Sequence, residues 1–214
     1  MADAGFKVGF DDRRGLDHGA WVPMMHLLPH ANVPVFQVSL PVALDTAQAV
    51  KLGRALAPLR KQGVMIVGSG SMTHNLHEFR QSGTKPQAYA REFSAWVRTA
   101  VVANAVDSLV NCRALALHAK RAHPNQEHFL PLLVALGAQA DNDALQLVDG
   151  GITRGVLSME SYAWRNAAAA PRCGKSIVNQ EEVSEPGTRP NQAVQIYGLS
   201  RAATSRPSSI TAIA

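Results

Sequence analysis

Eight histidines are spread through the 214 residues. Imidazole is the side chain that exchanges a proton near neutral pH, and its neutral ring ligates metals. Three of the eight sit in settings suited to such chemistry. His74 ends the stretch Gly63-Val-Met-Ile-Val-Gly-Ser-Gly-Ser-Met-Thr-His74, in which a short apolar run, Val64 to Val67, enters a turn whose Gly68 and Gly70 permit a sharp exit. Ligands of open α/β sheets bind beyond the carboxyl ends of the strands, so His74 stands where an active-site acid–base group is expected. His18 lies in Gly15-Leu-Asp-His-Gly-Ala-Trp-Val-Pro23, where two glycines flank an acid–histidine pair and allow a tight loop. A capping Asp17 or a simple turn histidine accounts for that pattern equally well. His128 falls in the first turn of a predicted helix, where the macrodipole disfavours the imidazolium and keeps the ring neutral, as metal ligation requires. An ordinary polar first turn is also compatible with it.

The other histidines are weaker candidates. His26 and His30 are four apart, but Pro29 between them disfavours the regular helix that would bring both rings to one metal. His77 and His118 have polar or basic neighbours and read as solvated. Gly68-Ser-Gly-Ser71 lacks the glycine two residues after Ser71 that a nucleophile elbow needs. It also lacks the Lys-Ser/Thr pair of a P-loop and the third glycine of a dinucleotide fingerprint.

The elements that must position these residues follow from periodicity. Val33 to Leu40 reads as a strand. Asp45 then caps a helix with Gln48 at its N3 position, and Leu52, Ala55, Leu56 and Leu59 share one face. Pro58 kinks that helix or ends it early. With the strand at 64–67 next, the order is β-α-β, which favours parallel pairing through a right-handed crossover. Pro86 suits the start of a helix whose Tyr89, Phe93, Trp96, Val97 and Ala100 form a core stripe. Phe129, Leu132, Leu133 and Leu136 suggest a third helix, entered through His123-Pro124-Asn125 and stopped by Gly137. Residues 144–148 and 156–162 are two further short strands.

Length and a 46% hydrophobic content fit one domain, placed at residues 1–164. Beyond Trp164 there are one leucine, no phenylalanine or tryptophan, and four prolines in 50 residues. This predicts a disordered tail over 165–214 with no fold of its own. The tail holds six Lys/Arg against three Asp/Glu, and residues 1–164 hold 15 against 13, so the overall +5 is not a nucleic-acid footprint on the compact part. Two cysteines 61 positions apart make neither a disulfide framework nor a zinc motif. With no 18-residue apolar run and no leader-like h-region, a soluble cytoplasmic protein is expected, acting on neither nucleic acid nor membrane. Oligomeric state is not legible.

Five segments, GLDHGAWVPMMHLLPHANVPVFQVSL, GRALAPLRKQGVMIVGSGSMTHNL, YAREFSAWV, AHPNQEHFLPLLVALG and GVLSMESYAW, fall in order between about residues 10 and 164. Together they resemble the class III extradiol ring-cleavage dioxygenases of the DOPA dioxygenase type. The resemblance implies an α/β fold with a mixed, mostly parallel sheet and helices on both faces. It implies a non-haem ferrous ion, or zinc in sites of this type, and a reaction that inserts both atoms of dioxygen into a catechol to give a muconic semialdehyde. By motif, His74 of THNL would be the acid–base, His18 of DHG would contact the substrate hydroxyl or bound oxygen, and His128 of the EHFLPL segment would be a metal ligand. Full-length members place two more metal-binding histidines upstream of the DHG motif, and this chain begins 17 residues before His18. The resemblance therefore also allows an inactive remnant that acts at most as a ligand- or partner-binding module.

Overall fold

The computed structural model describes residues 2–80, 83–167, 195–200 and 209–213. Helix α1 (His18–Leu27) is followed by strand β1 (Val35–Ser39), helix α2 (Thr46–Leu56), a 3-10 turn (Ala57–Gln62) and strand β2 (Val64–Ser69). Four short helices and one long one come next: α3 (Leu76–Phe79), α4 (Ala88–Val102), α5 (Val106–Val110), α6 (Cys112–Leu115) and α7 (Ala119–Ala122). Helix α8 (Leu130–Gly137) leads into β3 (Asp143–Val148), β4 (Ile152–Thr153), β5 (Leu157–Ser158) and β6 (Ser161–Asn166), with β7 (Gln195–Ser200) and β8 (Ser209–Ile213) last.

Local chemistry sets several of these boundaries. Asp45 accepts from the Gln48 amide at 2.7 Å while the Gln48 side chain accepts from the Asp45 amide, the expected capping box. Pro58 cannot continue the α-helical ladder, so α2 stops at Leu56 and the chain tightens into the 3-10 turn. Gly63, at φ 82°, closes that turn and releases the chain into β2. The strand expected over 156–162 is divided at Met159–Glu160 into β5 and β6.

The main sheet has the order β1-β7-β2-β8-β6-β3, and β4 and β5 form a separate hairpin. The expected mostly parallel sheet is corrected here. Among the described residues only β2 and β8 pair in parallel, and the other four ladders of this sheet are antiparallel. Strand β7 runs between β1 and β2, so the two strands of the β-α-β unit point the same way without touching. The segment beyond Trp164, expected to have no fold, contributes β7 and β8, and β6 itself crosses that boundary. Ile210, Thr211 and Ile213 are β-branched, a composition that favours strands. The rest of the expected tail lies outside the described residues.

Helices do cover both faces. Ile66 of β2 joins the large core of α2, α4 and α8, whereas Val67 packs on the other face with Ala20 and Met24 of α1. This is the period-two alternation of a strand buried on both sides. Helices α2 and α8 approach closely at two glycines. A Cβ on Gly53 would collide with the Val134 carbonyl, and one on Gly137 with the Val50 carbonyl. At the far end of the sheet Arg60 reaches Asp143 with two bonds of 2.7 and 2.9 Å and also donates to the Ala138 carbonyl at 3.0 Å.

Candidate active site

The turn after β2 is fixed to the segment that precedes α8. Gly68 and Gly70 leave no room for side chains, because a Cβ would meet the backbone of Pro131 at the first and of His128 at the second. The Ser71 amide donates to the His128 carbonyl at 2.9 Å, and the His74 amide donates to the Ala122 carbonyl at 2.8 Å. Thr73 is fully buried; its hydroxyl donates to the Val156 carbonyl and accepts from the Ser158 amide, both at 2.7 Å. Asn75 caps α3 through Glu78 and donates to the Arg121 carbonyl at 2.8 Å. A loop of small and polar residues thus has its polar groups paired and acquires one geometry.

This clamp brings two of the three sequence candidates together. The rings of His74 and His128 stack with centroids 3.6 Å apart and planes 29° from parallel. Both are half-buried. Burial lowers the pKa of His74, and burial followed by repulsion from His74 and His123 pushes His128 down to about 3. Both rings are therefore neutral at pH 7 and present lone pairs rather than positive charge. Glu127 lies 3.8 Å from His128 Nε2, too far for a hydrogen bond. His128 itself sits ahead of α8, whose first helical residue is Leu130. His128 thus precedes the first turn in which the sequence placed it, and burial and neighbouring imidazoles lower its pKa.

His18 does not join the stack. It opens α1 on the other face of β2, is exposed, and sets its ring edge-on to Trp21 at 5.7 Å. Asp17 caps that helix at the Ala20 amide and donates its own amide to Gln37 of β1 at 3.1 Å. His26, His30 and His77 are exposed, and His118 bonds Glu92 at 3.0 Å.

Sequence reasoning used His123 only as part of a helix entry. It is 2% exposed, packs against Phe93 and Phe129, and bonds the Met72 carbonyl through Nε2. Burial lowers its pKa to about 4. A polar residue in the loop flanking the EHF motif was the available signal. Glu160, 1% exposed, is held by Arg98 and by the Tyr162 hydroxyl, which also lies 3.9 Å from the Met72 sulfur.

A cleft of about 570 Å³ is lined by Leu40, Pro41 and Leu44 beyond β1 and by Arg113, Asn125 and Glu127. Its size is that of a small-molecule site; residues 124–127 form one wall, and no histidine lines it. A larger cleft of about 680 Å³ lies at the opposite end of the sheet, around Gly63 and Asp143, and no histidine lines it. Among the described residues no three His, Cys, Asp or Glu side chains are grouped to hold a metal ion. The in-plane lone pairs of stacked rings run side by side instead of converging. This span by itself does not fit the metal set that the sequence resemblance implies.

Residues 1–161 match the family of the catalytic LigB subunit of aromatic ring-opening dioxygenase, and the chain belongs to that family. It is 42% identical over 168 residues to a 4,5-DOPA dioxygenase extradiol of Beta vulgaris, covering 76% of this chain and 61% of that protein. A 4,5-DOPA dioxygenase extradiol of Escherichia coli K12 is 32% identical over 154 residues, covering 69% and 55%. A crystal structure of an uncharacterized Escherichia coli K12 protein superposes with a TM-score of 0.61 at 33% identity, covering 70% of this chain and 62% of that one. The chain thus spans about three-fifths of the length of these relatives.

Proposed function

We propose that this span carries the proton-handling part of an extradiol dioxygenase that opens catecholic aromatics with dioxygen. The observation that carries the reading is the stack of His74 on His128 beyond the carboxyl end of β2. His74, its pKa lowered by burial, is a neutral acceptor at pH 7, suited to take a catechol hydroxyl proton and return it to the opened product. Repulsion from His74 adds to burial in lowering the His128 pKa, so the two rings do not carry positive charge together. His18 is assigned the substrate hydroxyl by resemblance. The balanced reaction joins one catechol and one dioxygen into a muconic semialdehyde: a ring carbon–carbon bond beside the two hydroxyls breaks and both oxygen atoms are retained. No step is assigned to the ferrous or zinc ion, because the donors described here do not form its site. A cytoplasmic setting and a partner list limited to catechol and dioxygen belong to the same proposal.

The test is oxygen uptake by the purified chain supplied with ferrous ion and a catechol in air. Uptake with a yellow ring-fission product supports the reading. The donor count favours a second reading, a non-catalytic module that binds an aromatic ligand, and this predicts a flat trace from a chain with folded circular dichroism.

A further inference from the structure

His123 is the most buried histidine among the described residues, it lies outside the stacked pair, and the sequence marked it only as part of a helix entry. Its Nε2 faces the Met72 carbonyl. A carbonyl only accepts, so the neutral ring must present Nε2–H. Two residues further along the same loop, the His74 amide donates to Ala122, the residue before His123. Residues 72 and 74 are therefore tied to residues 123 and 122 by two bonds of opposite sense, a side-chain version of an antiparallel pair. The ring has little freedom to leave. Phe93 and Phe129 stand at 5.9 and 5.3 Å from it, and Arg113 Nη1 holds its own carbonyl at 2.9 Å.

We propose that His123 is a positioning residue: through the Met72 carbonyl it sets the loop geometry that presents His74 to His128. The role rests on the proposed function for its kinetic meaning and on geometry alone for its structural meaning. Removing the donor leaves the buried Met72 carbonyl, two residues before His74, without this partner, and small displacements of a reacting group are expensive in rate.

Two measurements decide it. On the wild-type chain, imidazole nitrogen NMR should show His123 as the Nε2–H tautomer with a slowly exchanging ring proton; an Nδ1–H tautomer overturns the proposal. Among variants, His123→Phe keeps the ring volume without the donor, and His123→Gln restores a donor near the Nε2 position. With ferrous ion and a catechol, His123→Phe should lower kcat roughly ten- to a hundredfold with KM little changed, and His123→Gln should recover most of it. Diethyl pyrocarbonate should modify His74 severalfold faster in His123→Phe than in wild type, with exposed His30 as the internal reference. Equal kcat and equal His74 reactivity in folded His123→Phe, or no recovery in His123→Gln, overturns the role. If His123→Phe does not fold, the tautomer and His123→Gln decide. If the wild type turns over no catechol, the functional reading is what fails, and the tautomer and His74 reactivity still settle the positioning.

Discussion

Three imidazoles in one neighbourhood make pH the first lever. His123 titrates near 6.5 when unfolded and near 4 when folded, because burial opposes its charge. The unfolded chain therefore binds the proton first as pH falls, so stability is at its plateau above about pH 6.5 and declines as pH drops from there towards 4. Each unit of that separation is worth about 1.4 kcal/mol. Urea midpoints taken from pH 8 to pH 4.5 should show this slope, and His123→Phe, if folded, should flatten part of it; a slope unchanged in that variant contradicts the assignment. Thr73 offers a second residue-level test. Thr73→Val removes an acceptor and donor pair from a fully buried site, and the orphaned Ser158 amide and Val156 carbonyl should cost about 1–3 kcal/mol in a denaturant melt.

At the scale of elements, what was legible in the sequence was what depends on neighbours a few residues away. The Asp45 box, the stop at Pro58, the strand at Val64 and the stripe of α4 all follow from spacing, and each formed as read. Asp45→Ala should lower the melting free energy by about 1 kcal/mol, as loss of a cap does. The α5 to α7 stretch was not legible, since helices of four or five residues carry too little periodicity. The start of α8 was read early because Pro131 and the apolar run are compatible with a helix from His128 or from Leu130, and the Ser71 bond to the His128 carbonyl favours the latter. Gly53 also escaped notice, and Gly137 was read only as a helix stop. Gly53→Ala would force α2 and α8 apart, and overpacking of this kind should cost about 1–3 kcal/mol, read as a lower thermal midpoint.

Across the whole molecule, the order of strands was the least visible property, because a ladder partner is chosen by segments far apart in the chain. Period-two patterns in β1 and β2 say that both are strands and cannot say that β7 lies between them. The same holds for β8, which joins β2 to β6 and so links the half of the sheet nearest α1 to the half built from β3 and β6. A chain ending at residue 200 should lose that link and melt at a lower temperature with less strand signal in circular dichroism; an unchanged melt contradicts a structural role for β8. Of the site, two histidines out of the three expected were brought together, and the loop ahead of α8 carries a third, His123, which the sequence marked only as part of a helix entry. No helix among the described residues is long and apolar enough to cross a membrane.

The central claim is that His74, held neutral beside His128, moves the proton in catechol opening. Turnover of one catechol by wild type and by His74→Gln, measured side by side with an oxygen electrode, tests it most directly. The account predicts a fall in kcat of roughly a hundred- to ten-thousandfold with circular dichroism unchanged. Equal turnover by the folded variant would contradict it.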